Sequence, residues 1–173
     1  MITVRLATEN DLPAILDIYN DIIMHTTAVY YYEPHTLEMR MQWFEERKQK
    51  GFPVFVAEEE GNILGMSTIG PFRQPTAYQF SVENTVHVAA HARGRGVGKL
   101  LMPPVIEAAG KLKMHTIIAG IDAGNEVSLH LHRNFGFVEV AHFKEVGFKF
   151  GRWLDLKFLQ LILIPSVSQR EEL

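Results

Sequence analysis

Residues 91–100 read HARGRGVGKL, directly after the apolar run TVHVAA and before a stretch with helical spacing. Gly94, Gly96 and Gly98 alternate with Arg95 and Val97, and Arg93 and Lys99 flank them. A strand, a turn with that much bare backbone, and a helix start together narrow what this chain can fold into. A helix N-terminus has several unpaired N–H groups and roughly half a positive charge. It accepts phosphate where glycines let the ligand approach the backbone. Four readings compete for the segment. A phosphate loop of the G-x-x-x-x-G-K-S/T kind needs a hydroxyl after Gly98-Lys99, and Leu100 stands there. A dinucleotide fingerprint needs G-x-G-x-x-G, whereas the spacing here is G-x-G-x-G. A nucleic-acid patch sits poorly in a chain of formal charge -3. A solvated turn without function stays open.

Periodicity places the other elements. ITVRLA alternates as a strand. TENDLPAILDIYNDII is a helix capped by Thr8 or Asn10, with Pro13 in its first turn and Leu12, Ile15, Leu16, Tyr19, Ile22 and Ile23 on one face. HTTAVYYYEP reads as a loop or short extended piece, and Thr36 to about Lys50 as a second helix ended by Gly51. PVFVAEE and ILGMSTIG form a hairpin around EEGN. AYQFSVENTVHVAA is a long strand, followed by the glycine segment and a helix to about Gly110. TIIAGI is a buried strand, NEVSLHLHRNFGF a helix closed by Gly136, and two strands turn near Gly151. The order is β-α-α-β-β-β-α-β-α-β-β, with a parallel pair formed through a right-handed crossover. Pro103 and Pro104 fall inside the helix after the glycines and predict a kink or a tightened first turn. One domain over residues 1–165, with a flexible tail at 166–173, fits 173 residues. The chain has no cysteine, hence no thiolate nucleophile and no disulfide. No secretory leader or membrane span is read, so the expected location is cytoplasmic, with no nucleic-acid or membrane partner.

Arg93-x-x-Gly96-x-Gly98 resembles the R/Q-x-x-G-x-G/A signature of the GNAT N-acetyltransferases. Asn125, Ser128, Leu131-His132 and Asn134-Phe135-Gly136-Phe137 stand where that family has matching residues. AYQFSVENTVHV, SLHLHRNFGF and VGFKFGRWLDLKFLQL narrow the likeness to its phosphinothricin and methionine sulfoximine acetyltransferase branch. The resemblance implies a mixed α/β fold: a mostly antiparallel central sheet with a splayed parallel strand pair and flanking helices. It implies acetyl-CoA as co-substrate and no metal. The diphosphate then falls to Arg93, Gly94, Arg95, Gly96, Val97, Gly98 and Lys99. The pantetheine arm falls to the backbone of Val86, His87 and Val88, and to Asn125 and Ser128. Asn125 reads equally well as a helix cap.

For catalysis the resemblance points to Glu83 as the base that takes the acceptor's proton, and to His132 as an acid near the departing sulfur. From residues alone, Glu83 is as well read as a strand-end charge and His132 as a packed residue. Arg73, Thr76, Ala77, Tyr78 and Phe135 match positions lining the acceptor pocket, with Tyr30 to Tyr32 closing it. Arg73 supplies a cation for an acceptor carboxylate. The expected function is acetyl transfer to the α-amine of a small amino-acid-like acceptor: phosphinothricin, methionine sulfoximine or methionine sulfone. The alternatives are a protein or peptide N-acetyltransferase, and a CoA-binding regulatory module without turnover. The apolar end strand FLQLILI and the resemblance together imply a homodimer.

Overall fold

The computed structural model of the chain describes residues 1–163. The tail expected at 166–173 lies outside them. Seven strands are β1 (Thr3–Leu6), β2 (Val54–Glu59), β3 (Asn62–Pro71), β4 (Ser81–Val88), β5 (Thr116–Asp122), β6 (Val138–Lys149) and β7 (Arg152–Ile162). Four α-helices are α1 (Leu12–His25), α2 (Leu37–Gln49), α3 (Val97–Lys111) and α4 (Glu126–Asn134). This is the order read from the sequence. The sheet runs β1-β2-β3-β4-β5-β7-β6 and every pair is antiparallel except β4–β5.

Local chemistry sets the boundaries. A short 3-10 turn at Glu9–Asp11 precedes α1. The Thr8 N–H and hydroxyl both donate to Asp11 Oδ2, at 2.7 and 3.0 Å, so Thr8 closes this turn and α1 itself starts at Leu12. Leu12, Ile15, Ile18, Ile22 and Ile23 are buried; Ile18 takes the inward position that the spacing argument gave to Leu16. Thr36 caps α2 by accepting the Met39 N–H. α3 passes through Pro103 and Pro104 as one helix. Its first turn is tightened, because the Gly96 carbonyl accepts from both Lys99 (3.0 Å) and Leu100 (3.2 Å). The two prolines deprive the Lys99 and Leu100 carbonyls of helical donors, and both residues face solvent, where water satisfies a carbonyl.

The helices divide between the two faces of the sheet. Ser67 on β3 donates to the Leu101 carbonyl of α3 at 2.9 Å, and Ile69, Val82, Ile117, Ala119 and Leu159 pack with Met102, Val105 and Leu129. On the other face Val54, Val56 and Met66 meet Leu12 and Ile15 of α1 and Trp43 and Phe44 of α2. Along β4 the side chains alternate between these faces. His87 meets Tyr19 of α1, whereas Asn84 meets Met102 and His132.

The β4–β5 pair splays. It is in register only from Ser81↔Thr116 to Glu83↔Ile118, although both strands continue. Two bonds fix which backbone groups face the gap: Phe72 N–H to the Ser81 carbonyl, and Ala89 N–H to the Leu64 carbonyl. By the alternation of an antiparallel ladder, Glu83, Thr85 and His87 spend their backbone groups on β3. Those of Asn84, Val86 and Val88 point towards β5, beyond the last paired residues.

Candidate active site

The glycine segment leaves its donors free. Ala90–Ala92 form a 3-10 turn, Gly94 and Gly96 have φ of 77° and 81°, and α3 starts at Val97. Around it, backbone bonds are donated by Ala92, Arg93, Lys99 and Leu100. Among the described residues this leaves the N–H groups from Gly94 to Gly98 for a ligand. The left-handed φ at Gly94 and Gly96 is one that glycine adopts without cost, and it keeps the turn concave. The cations are less available than their spacing implies. Arg95 pairs with Glu59 at 2.5 Å and Arg93 with Asp21 at 3.9 Å, both on the surface. Lys99 has no ion pair among the described residues, so it remains available as countercharge beside the free N–H groups.

The splayed gap adjoins this turn. Val86 and Val88 offer an open strand edge to an amide-bearing chain, which binds such an edge as an added strand would. His87 does not contribute backbone as expected, because its groups belong to the β3 ladder. Its imidazole lies against Tyr19, with ring centroids 5.5 Å apart, and burial pushes its pKa down to about 4. Asn125 caps α4 by accepting the Ser128 N–H at 3.1 Å, which leaves its amide NH2 group free to donate.

Glu83 and His132 lie on opposite faces of the sheet. Glu83 is half-buried on the α1–α2 face, at the last position of β4 that pairs with β5. Its carboxylate reaches across the gap towards Gly120 on β5. A Cβ at Gly120 would stand 3.1 Å from Glu83 Oε1, so glycine permits the approach. Burial raises the Glu83 pKa, while Arg73, Arg47 and the Gly120 backbone pull it down. His132 is buried on the α3–α4 face. Its Nδ1 lies 2.8 Å from the Ser128 carbonyl, which can only accept, so Nδ1 carries the proton. Nε2 then accepts from Asn84 Nδ2 at 3.0 Å. Burial lowers the His132 pKa and the Ser128 carbonyl raises it. Asn84 Oδ1 is buried without a partner.

The acceptor-side residues separate. Arg73, Thr76, Ala77 and Tyr78 occupy the exposed β3–β4 connection, with a 3-10 turn at Thr76–Tyr78. The Arg73 guanidinium lies 4.8 Å over the Phe72 ring, and Phe72 meets Tyr78 and Phe158 edge-on. These rings form an apolar wall beside Glu83. Phe135 is elsewhere: it packs against the core under α3 and α4. Two arginines of α2 went unnoticed in the sequence. The Arg47 guanidinium lies on Gly70, where a Cβ would come within 2.1 Å of it, and Gly70 pairs with Glu83. Arg40 is buried, with its guanidinium 4.0 Å over the Tyr19 ring. Neither has a carboxylate within ion-pair distance among the described residues. A signal was present: Arg40, Trp43 and Arg47 share one helical face in LEMRMQWFEERKQ.

This geometry can hold a diphosphate at one end, an amide chain along a strand edge, and an amine near a raised carboxylate. A family model for the acetyltransferase (GNAT) domain matches residues 4–157. The chain belongs to the GNAT acetyltransferase family. The acetyltransferase is 41% identical over 167 residues to the L-methionine sulfoximine/L-methionine sulfone acetyltransferase of Pseudomonas aeruginosa, covering 96% of this chain and 97% of that one. It superposes on a phosphinothricin acetyltransferase from Sinorhizobium meliloti in complex with acetyl-CoA. There the TM-score is 0.92 at 33% identity, over 96% of this chain and 91% of that one. It also superposes on a ribosomal-protein-alanine N-acetyltransferase from Brucella melitensis, with a TM-score of 0.91 at 50% identity over 93% and 99%. The protein is therefore an acetyl-CoA-dependent N-acetyltransferase. Among the described residues no group of three or more His, Asp or Glu side chains could hold a metal ion, and no helix is long and apolar enough to cross a membrane.

Proposed function

We propose that this acetyltransferase acetylates the α-amine of a small amino-acid-like acceptor, with phosphinothricin, methionine sulfoximine and methionine sulfone as the acceptors its relatives' names suggest. The observation that carries this reading is Glu83, half-buried at the mouth of the splayed gap between two arginines and an aromatic wall. The N–H groups from Gly94 to Gly98 receive the coenzyme's diphosphate, and Val86, Val88 and Asn125 align its pantetheine arm. Glu83 takes a proton from the acceptor's ammonium, and the freed amine attacks the thioester carbonyl. An N–C bond forms, the C–S bond breaks, and the thiolate leaves to be protonated. Arg73 faces the acceptor's carboxylate at the exposed rim, with Thr76, Ala77 and Tyr78 beside it.

His132 answers to the sulfur side. To act as an acid it must gain a proton at Nε2, which requires Asn84 to present Oδ1 in place of its NH2 group. Oδ1 is the atom that lacks a partner, so a turn of the Asn84 amide matches the protonated imidazole.

Acceptor identity is tested by release of free CoA with methionine sulfoximine, methionine sulfone, phosphinothricin, methionine and an alanine-initiated peptide assayed in parallel. Turnover with the amino acids and little with the peptide is expected. The 50% identity to the Brucella enzyme favours the second reading, a protein N-terminus, and turnover with the peptide alone would establish it. No turnover with any of the five would reject both acceptor readings.

A homodimer belongs to the same proposal. β6 is an edge strand, and Val138, Val140, Phe143, Val146, Phe148 and Trp153 are all exposed on the β6–β7 hairpin. An apolar strip on a sheet edge is a surface that another chain covers. Light scattering at micromolar concentration should give twice 19.7 kDa. A single-chain mass would reject the dimer.

A further inference from the structure

Lys149, the last residue of β6, is 2% exposed and has no carboxylate partner among the described residues. Its Nζ donates to three backbone carbonyls: Ile23 at 2.7 Å, Thr26 at 2.9 Å and Val29 at 2.7 Å. An ammonium has three donors and no acceptor, so this set uses its capacity completely. Burial lowers its pKa, and the last turn of α1 offers the negative end of a helix dipole in return. The loop that follows α1 is thereby tied to the β6–β7 hairpin.

Two neighbouring contacts tie the same loop. The Tyr30 ring lies on Gly147, where a Cβ would come within 2.5 Å of it. The Tyr32 hydroxyl donates to the Phe148 carbonyl. Beyond the strap the loop approaches the gap on the Glu83 face through its neighbours. Tyr31 meets His35 edge-on, and His35 meets Tyr19, and Tyr19 meets His87 of β4, at tilted angles. Tyr30 is half-buried and feels the Asp122 carboxylate, two residues beyond Gly120 on β5.

We propose that Lys149 is a positioning residue for the acceptor: its ammonium, by gathering the Ile23, Thr26 and Val29 carbonyls, holds the 26–32 loop over the Glu83 face of the gap. It touches neither substrate. The inference rests on the reading that the acceptor binds on that face. The diphosphate turn lies outside the strap, so coenzyme binding is spared.

The test is Lys149→Met, which keeps the length of the side chain and removes its three donors. The acceptor KM should rise about tenfold or more, as expected for lost charged hydrogen bonds, while the acetyl-CoA KM stays within about threefold. Amide hydrogen exchange across residues 27–33 should quicken about tenfold or more relative to β2 and β3. Gly147→Ala is the second variant. Gly147 is not among the glycines with positive φ, so an alanine displaces only the Tyr30 ring, and the same split in KM is expected. If Lys149→Met does not fold, Gly147→Ala carries the test. An acceptor KM within about threefold of wild type in a folded variant, both KM values rising together, or unchanged loop exchange would overturn the role of Lys149. Wild-type enzyme that acetylates no amino acid would instead overturn the acceptor reading, and the exchange measurement would still report on the strap.

Discussion

Glu83→Gln should lower kcat on the order of 10²-fold, about 2.7 kcal/mol of barrier, with both KM values little changed. Glutamine fills the same space and keeps a carbonyl oxygen towards Gly120, so the fold and the gap survive. It cannot take a proton. The pH profile separates this from a general disturbance. Burial places the Glu83 pKa above the ordinary 4.5 of a glutamate. A base works ionised, so kcat/KM should rise with pH through that raised value and lose this acid limb in the variant. His87, pushed down to about 4 by burial, stays mostly neutral from pH 5 upward, so its titration does not overlap this limb. Steady-state kinetics between pH 5 and 9 decide the matter; near-wild-type turnover, or an unaltered acid limb, removes Glu83 from the chemistry.

Gly96→Val should raise the acetyl-CoA KM about tenfold or more and leave kcat at saturation nearly intact. Gly96 has φ +81°, and a Cβ there meets open space, so nothing collides. The cost lies in the backbone: a side chain in the left-handed region costs about 1–2 kcal/mol, more when β-branched. The chain relieves it by turning to negative φ, which rotates the N–H groups from Arg95 to Gly98 out of their shared concavity. Gly96→Asn is the control, because asparagine tolerates that conformation. Its KM should lie between the two. Since residue 96 is exposed, the melting temperature should move little. Equal KM values for wild type, Asn and Val would mean that the turn does not hold the coenzyme.

The strands and helices were legible because their signals are local. Two-residue alternation, helical spacing, Gly51, Gly136 and Gly151 at element ends, and the HARGRGVGKL turn each act within a few positions. Glu83 was not legible that way. Nothing within SVENTVHV tells a base from a strand-end charge, and only the likeness to a known branch selected it. What settles its surroundings is Gly120, 37 positions away, whose missing side chain leaves room for its carboxylate. Arg40 and Arg47 were missed because α2 reads as polar all round; their burial is decided by Tyr19 and Gly70 on other elements. Phe135 was placed with the acceptor by the resemblance alone, whereas the end of α4 packs it against the core. The His132–Asn84 pair spans 48 positions and has no trace in composition or spacing. Long-range pairing also hid Lys149, whose three carbonyl partners lie more than a hundred residues earlier in the chain.

A crystal structure with acetyl-CoA bound tests the account most directly. The diphosphate oxygens should lie about 3 Å from the N–H groups between Gly94 and Gly98, and the pantetheine amides should pair with Val86 and Val88. The thioester should end beside Glu83, on the side of the gap that Gly120 borders. A diphosphate held elsewhere, or a pantetheine arm that avoids the gap between β4 and β5, would contradict it.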